Sequence, residues 1–171
     1  MKMMTEEDYG KALKFNKTKR FIDDVGSINN DGLLVKDKER IYPKELVLNE
    51  ENTNDKMGTF LDLSITVDAN KFVTKTYDKR DDYNFEIVNY PDLSGNIPRD
   101  SAYGIFTSQI LRNARVCSKT ADFLDRIKLL TGKLISKGYE KIRLKKTLGK
   151  CLHKYPWINQ KYENIKWSEL L

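Results

Sequence analysis

Two adjacent aspartates, Asp23 and Asp24, are the residues of this chain whose types and spacing suggest catalytic chemistry. Apolar residues typical of β-strands stand on both sides of the pair, which predicts a hairpin with the two carboxylates at its tip. Hard cations such as Mg²⁺ take one or two carboxylates together with substrate phosphates, and paired ions of this kind promote phosphoryl transfer. Without further context the pair is more typical of a turn with two solvated acids, and the same holds for Asp81 and Asp82.

The second notable set of side chains is basic and lies late in the chain. Residues 1–100 hold 16 Lys and Arg against 20 Asp and Glu, whereas residues 101–171 hold 15 against 5, so the net charge changes from −4 to +10. Such a section suits a polyanion, although lysines also simply keep a helix soluble. Glu140 alone opposes the cations of one dense stretch, which are Lys133, Lys137, Lys141, Arg143, Lys145, Lys146, Lys150 and Lys154.

Composition excludes several classes of protein. The chain has 171 residues, a length that suits one domain, and its mean hydropathy of −0.64 comes with no apolar run near the roughly 20 residues of a membrane span. Its first ten residues are polar and acidic, unlike a signal peptide. Two cysteines without a CxxC pair and a single histidine do not supply the usual ligands of a zinc knuckle. We therefore expect an intracellular protein, nuclear or cytoplasmic, with no membrane partner.

Local patterns place these residues on predicted elements. Residues 18–30 read as strand, turn and strand, and residues 60–77 alternate apolar and polar positions around a turn at 68–70, which predicts a second hairpin. Residues 5–14 carry a marginal helical pattern. Residues 78–100 suit an ordered extended connection because they mix charges, aromatics, prolines and glycine.

A helical period follows the connection. Three helices are predicted, the first with Ser101 as its N-cap, the second from about Thr120 to a stop at Gly138, and the third over residues 139–154. Lys133, Lys137 and Lys141 step by four, so they share a ridge if the break at Gly138 does not rotate it. The predicted inward side chains are Tyr103, Phe106, Ile110, Ala114, Cys117, Phe123, Leu124, Ile127, Leu130, Leu134, Ile142, Leu148 and Leu152. The fold class is therefore α+β, two β-hairpins followed by a basic three-helix region.

Several sequence blocks resemble a known family. The segment Arg20-Phe21-Ile22-Asp23-Asp24 resembles the [YF]xDD catalytic box of reverse transcriptases. Further blocks follow in the family's order, and together they are similar to the latter half of polymerases from animal non-retroviral retroelements, Penelope-like and related, over about residues 14–150. These blocks are IYPKEL at 41–46, FLDL at 60–63, YDKRDDYNF at 77–85, NIP at 96–98, YG at 103–104, Ser108-Gln109, Arg112, Arg115 and Cys117.

The resemblance implies a partial right-hand polymerase palm over residues 1–100, a helical thumb over 101–155 and a tail over 156–171. It implies nucleotidyl transfer of deoxynucleotides onto a primer 3′ end, with Asp23 as the principal ligand of Mg²⁺ or Mn²⁺ and Asp24 as its companion. The hairpin near residues 58–77 would grip the primer, and the thumb lysines and Arg143 would contact the duplex of RNA template and DNA primer. Arg112 and Arg115 match a family block and are either phosphate ligands or plain surface charges.

The chain also departs from the family. The family requires a further aspartate on a strand that precedes the box, and fingers that hold template and nucleotide, yet only 22 residues precede Asp23. We therefore expect these 171 residues not to polymerise by themselves, with metal bound only if the complete palm is present and with a second chain as one source of the rest. Two alternatives stay open: a nucleic-acid-binding module without catalysis, and a scaffold or interaction remnant that associates through uncovered apolar surface. The sequence thus leaves undecided whether the chain is an enzyme.

Overall fold

The chain divides into two units, Met1–Leu61 and Asp62–Leu171. The structure is a computed structural model that describes residues 5–52, 54–85, 87, 89–163 and 165–167. It contains helices and two small antiparallel sheets, so the predicted α+β class is confirmed, although no polymerase palm is identified by it. Within those described ranges, no helix is both long and apolar enough to cross a bilayer.

The first unit is built from short elements. They are α1 (Glu6–Lys14), β1 (Thr18–Phe21), β2 (Asp24–Ser27), α2 (Leu33–Lys36), α3 (Lys38–Ile41) and β3 (Met57–Phe60). The marginal helix of residues 5–14 forms because Thr5 and Asp8 make a reciprocal capping box at its start. No apolar side chain among the unit's described residues is fully buried, and Phe21, Ile22 and Val47 are more than half exposed.

The predicted hairpin at residues 18–30 is confirmed. Strands β1 and β2 pair in register from Thr18 opposite Ser27 to Phe21 opposite Asp24. Ile22 and Asp23 therefore form a two-residue turn, and Asp24 is the first residue of the returning strand. The aspartate pair lies at the tip of the hairpin, as the flanking apolar residues predict.

The second unit begins with the other predicted hairpin. Strands β4 (Leu63–Asp68) and β5 (Lys71–Thr76) pair around a turn at Ala69 and Asn70, both of which have positive φ angles. A 3₁₀ turn, Lys79–Asp82, follows within the predicted connection. Four helices complete the unit: α4 (Arg99–Val116), α5 (Thr120–Ile135), α6 (Lys141–Lys154) and α7 (Trp157–Lys161).

The buried core lies among these helices, where α4 packs against both α5 and α6. All of the predicted inward positions on α4 and α5 are buried or half-buried, but Ile142 is 71% exposed and the prediction for it was wrong. The inward face of α6 instead consists of Leu144, Leu148 and Cys151. Helix α4 also begins earlier than predicted: Pro98 is its N-cap, and Ser101, the predicted N-cap, lies in its first turn.

The last residues pack onto this core. Ile158 and Tyr162 are buried, and Trp157 and Trp167 are half-buried against the helical cluster. The Phe123 ring stacks on Tyr162 at 4.4 Å between centroids and meets Trp167 edge-on. The tryptophans therefore serve packing, and the described part of the predicted tail belongs to the helical unit.

Candidate nucleic-acid interface

The aspartate pair is open to solvent. Asp23 and Asp24 are both exposed at the hairpin tip. Their side chains make no hydrogen bond or ion pair with any residue that the structure describes. Both carboxylates are thus available to a divalent cation, which can also bind substrate phosphates.

The turn that presents the pair is strained. Ile22 has a φ of 53°, which a β-branched residue rarely adopts and which costs about 1 to 3 kcal/mol. The Arg20 guanidinium donates to the Ile22 carbonyl at 2.9 Å and fixes the turn in this conformation. Ile22 itself is 74% exposed, so burial of its side chain does not explain the strain. Backbone strain of this kind is concentrated at functional sites.

Asp23 and Asp24 supply part of the ligand set that one divalent cation needs. Two adjacent carboxylates suit Mg²⁺, which is often held by one or two carboxylates plus substrate phosphates. Among the described residues, no cluster of three or more His, Cys, Asp or Glu side chains is present. A pair of ions about 3.5 to 4 Å apart, as in two-metal phosphoryl transfer, needs further ligands beyond Asp23 and Asp24.

A second candidate feature is a group of exposed lysines on α6. We call Lys141, Lys145, Lys146 and Lys150 the α6 lysine surface, because all four are exposed and lie on one helix. None of them makes a hydrogen bond or ion pair within the part of the chain that the structure describes. Unpaired cations are free to neutralise phosphates, whereas cations already paired to carboxylates must first break those contacts.

Other predicted cations already have partners. Arg112 pairs with Asp62 at 2.7 Å and Lys133 with Asp81 at 3.1 Å. Arg143 pairs with Asp100 and stacks over the Tyr103 ring, 4.4 Å from its centroid. By contrast, Arg115 is exposed with no partner among the described side chains.

The predicted ridge of Lys133, Lys137 and Lys141 is not continuous. Helix α5 ends at Ile135, so Lys137 lies in the turn and Lys141 begins the next helix. Gly138, with a φ of 82°, makes this break, as its position predicted. Lys137 is half-buried, and its carbonyl accepts a hydrogen bond from the Leu93 backbone at 3.0 Å.

Sequence reasoning missed an ionic clasp centred on Arg126. Its side chain is 20% exposed, pairs with Asp81, and donates through Nη2 to the Thr76 carbonyl at 3.0 Å. Burial raises the pKa of Asp81, but hydrogen bonds from Arg126 and Lys133 outweigh it and hold this pKa below its usual value. Asp81 is therefore a structural anchor rather than a solvated turn acid. The available sequence signal was the opposite charge of the basic residues on α5 and the acidic pair at 81–82. However, 45 residues separate Arg126 from Asp81 in the chain.

The β4–β5 hairpin is anchored to the end of α4. The Thr76 hydroxyl donates to the buried Asn113 side chain at 2.8 Å, and the Thr74 hydroxyl donates to the Val116 carbonyl at 2.6 Å. From the other side, the Tyr162 hydroxyl donates to the Cys117 carbonyl at 2.6 Å, and burial raises the pKa of this phenol. The hairpin and the helices of this unit are thus held as one body.

Comparison with known proteins gives no match. No family model fits the chain, and no curated protein or solved structure is similar to it at a significant level. The case for the interface therefore rests on its residues and their surroundings.

Proposed function

We propose that this chain is a palm-and-thumb part of an RNA-directed DNA polymerase. In this proposal the Asp23-Asp24 hairpin serves at the primer 3′ end, and the helical unit holds the duplex of RNA template and DNA primer. The proposal keeps the residue roles that the [YF]xDD box implies. It assigns nucleotidyl transfer to the assembled enzyme and duplex binding to these 171 residues.

The observation that carries the proposal is the geometry of the hairpin tip. A two-residue turn with a strained β-branched residue presents two exposed, unpaired carboxylates side by side in the chain. The φ of Ile22 is positive, in a region where Gly or Asn is preferred. A turn that must present metal ligands accounts for both the strain and the unpaired acids.

Asp23 and Asp24 would hold the divalent cation together with substrate phosphates. When bound, Mg²⁺ lowers the pKa of the attacking hydroxyl and neutralises charge on the transferred phosphoryl group. The carboxylates fix the position of the primer end, and Arg20 keeps the turn that presents them in place.

A second candidate function is nucleic-acid binding without catalysis. The four unpaired lysines of α6 favour it, because they need no metal and no further palm residue. The two candidates differ in what the aspartates contribute. A polymerase part gains affinity for a primer end when Mg²⁺ is added, whereas a plain binding module does not.

Mg²⁺-dependent binding separates the candidates. We would measure the affinity of the chain for an RNA–DNA duplex with a recessed primer 3′ end, with and without Mg²⁺. The resemblance implies that metal is held only in a complete palm, but the exposed aspartate pair suits one Mg²⁺ that the primer phosphates also bind. The proposal therefore predicts that Mg²⁺ strengthens binding by the wild type and that the D23N/D24N variant loses this gain. D55N, which removes another exposed acid of the same unit, should keep the gain. Equal Mg²⁺ responses in all three proteins would leave only the binding module.

Primer extension tests the expected lack of activity in isolation. We expect no template-directed synthesis from these 171 residues with Mg²⁺ and deoxynucleotides, because the described residues bring no third acid to the aspartate pair. Synthesis that D23N abolishes would overturn this expectation and place a complete active site within the chain.

A further inference from the structure

A cleft between α4 and α5 carries a separate group of cations and polar side chains. Arg112 and Gln109 reach it from α4, Arg126 and Lys133 reach it from α5, and Tyr90 reaches it from the chain segment that precedes α4. We call these five side chains the basic cleft. All of them belong to the helical unit, which is held as one body by the contacts described above.

The cations of the basic cleft use only part of their hydrogen-bonding capacity. A guanidinium group has five N–H donors and an ammonium group has three. Arg126 uses three of its donors, on Asp81 and on one backbone carbonyl, and Lys133 uses one on the same carboxylate. Arg112 makes one ion pair, at 2.7 Å. Within the described part of the chain, most donors of Arg112 and Lys133 therefore have no acceptor.

The two neutral side chains of the basic cleft are also unpaired. Tyr90 and Gln109 are half-buried, yet the Tyr90 hydroxyl and the Gln109 side-chain amide make no hydrogen bond with any residue that the structure describes. Burial raises the pKa of Tyr90, although the nearby cations lower it in part. The phenol is therefore protonated at neutral pH and is able to donate a hydrogen bond.

The carboxylates around the basic cleft are already engaged. Asp78 accepts hydrogen bonds from Arg80 on both of its oxygens, at 2.8 Å each. Asp81 is likewise bound on both oxygens, by Arg126 and Lys133. The cluster holds one more cation than it holds carboxylates, and its charged members are Arg80, Arg112, Arg126, Lys133, Asp62, Asp78 and Asp81. Free donors and a net positive charge together favour an anionic ligand.

The cations of the basic cleft are also partly shielded from water. The exposed fractions of their side chains are 20% for Arg126, 34% for Arg112 and 36% for Lys133. Partly buried charges are screened less by salt than fully exposed ones, and they attract an opposite charge more strongly. An anion in the cleft would thus gain more from each cation than an anion on an exposed lysine would.

We propose that the basic cleft binds the phosphomonoester group of a small soluble molecule. A phosphomonoester carries a charge of about −1.5 to −2 at pH 7 and three strong acceptor oxygens, which match several free donors around a net positive charge. The planar guanidinium groups suit phosphate oxygens in particular. A recessed site also admits a terminal group on a small carrier more readily than the backbone of a double helix. The inference goes beyond the proposed function and does not depend on it.

Matched substitutions on α4 test the site. We would titrate the full chain with inorganic phosphate and with glycerol phosphate at constant ionic strength, and follow the NMR signal of the Arg126 Nε–H group. Both ligands should bind the wild type. R112Q removes a cation of the cleft and should weaken binding about tenfold. R115Q removes an exposed, unpaired cation of the same helix that does not line the cleft, and it should leave the affinity unchanged.

Y90F tests the neutral donor separately. This substitution removes only the hydroxyl group, so we expect an unchanged melting temperature without ligand and an affinity for phosphate about tenfold lower than that of the wild type. Bound phosphate should also raise the melting temperature of the wild type more than that of Y90F. Equal phosphate affinity of wild type, R112Q and Y90F, or no binding of either ligand by the wild type, would overturn the inference.

Two further titrations identify the carrier and the location. A peptide that contains phosphoserine should bind no more tightly than glycerol phosphate, and binding of the peptide alone would contradict a small-molecule ligand. The K141Q/K145Q/K146Q/K150Q variant should bind phosphate as the wild type does. A loss of phosphate binding in that variant would place the anion on the α6 lysine surface and overturn the inference. The proposed function is tested by duplex binding, so either proposal can fail while the other holds.

Discussion

At the scale of single residues, Arg126 connects three parts of the helical unit. It contacts the end of β5 through the Thr76 carbonyl and the 3₁₀ turn through Asp81, while Lys133 of the same helix adds a second ion pair to that carboxylate. These contacts fix the course of the chain after the β4–β5 hairpin. The segment that follows β5 is thus held on α5 through Asp81.

Removal of this clasp should destabilise the protein. R126A leaves Asp81 and the Thr76 carbonyl without their main partner, so we expect a decrease of about 2 to 3 kcal/mol in the free energy of unfolding. Urea denaturation measures this decrease. K128A, which removes an exposed cation from the same helix, should stay within about 0.5 kcal/mol of wild type. Equal effects of the two substitutions would show that the clasp contributes nothing.

The same clasp predicts a pH dependence. Hydrogen bonds from Arg80 lower the pKa of Asp78, and the net effect on the pKa of Asp81 has the same direction. Their contribution to stability is full above the ordinary carboxyl pKa of about 3.9 and disappears as the pH falls through the lowered folded values. Unfolding curves of the wild type should therefore show decreasing stability between about pH 5 and pH 2. The stability of D81N should decrease less over that range, and identical pH profiles would argue against the ion pairs.

What the sequence reveals at this scale depends on distance along the chain. Asp23 and Asp24 could be placed at a hairpin tip because their apolar neighbours are adjacent to them. Asp81 could not be assigned, because its partner Arg126 is distant in sequence and only the folded chain brings them together.

At the scale of elements, local turn signals were the most reliable guide. Gly138 marks the end of α5 in the sequence, and in the structure its positive φ lets the Tyr139 amide bond back to the Leu134 carbonyl at 3.1 Å. The face of α6 was harder to predict. Its apolar residues allow more than one inward stripe, and only packing against α4 decides that Ile142 faces solvent.

The turn between α5 and α6 provides an element-scale prediction. G138A should destabilise the protein by about 1 to 2 kcal/mol, because a side chain at this φ is strained. G138N should cost less, since asparagine tolerates the left-handed conformation better. Chemical denaturation of both variants measures the difference. A G138A variant as stable as wild type would show that the turn rearranges without cost.

At the scale of the whole molecule, stability is concentrated in the second unit. The buried apolar side chains all belong to it as far as the described residues go, whereas the first unit exposes Phe21, Ile22 and Val47. Burial of apolar surface is the main source of folding free energy. The aspartate hairpin is thus presented by the part of the chain with the weaker core, a property that local sequence patterns do not reveal.

Hydrogen exchange should reflect this division. We expect slow exchange for amides of α4, α5 and α6, and fast exchange for those of β1 and β2, because local stability follows buried contacts. Mass spectrometry of exchanged peptides resolves the two units. Equal protection of the two units would contradict the claim that stability is concentrated in the second unit.

The measurement that tests most directly whether this chain holds a template–primer duplex, the claim that both candidate functions share, is the salt dependence of binding to an RNA–DNA duplex with a recessed primer end. The account predicts that the logarithm of affinity falls linearly with the logarithm of salt concentration. Replacing all four lysines of the α6 lysine surface with glutamine should make this slope shallower by about 0.9 for each phosphate that the lysines neutralise in the wild type. No binding, or a slope that the four substitutions leave unchanged, would contradict the account.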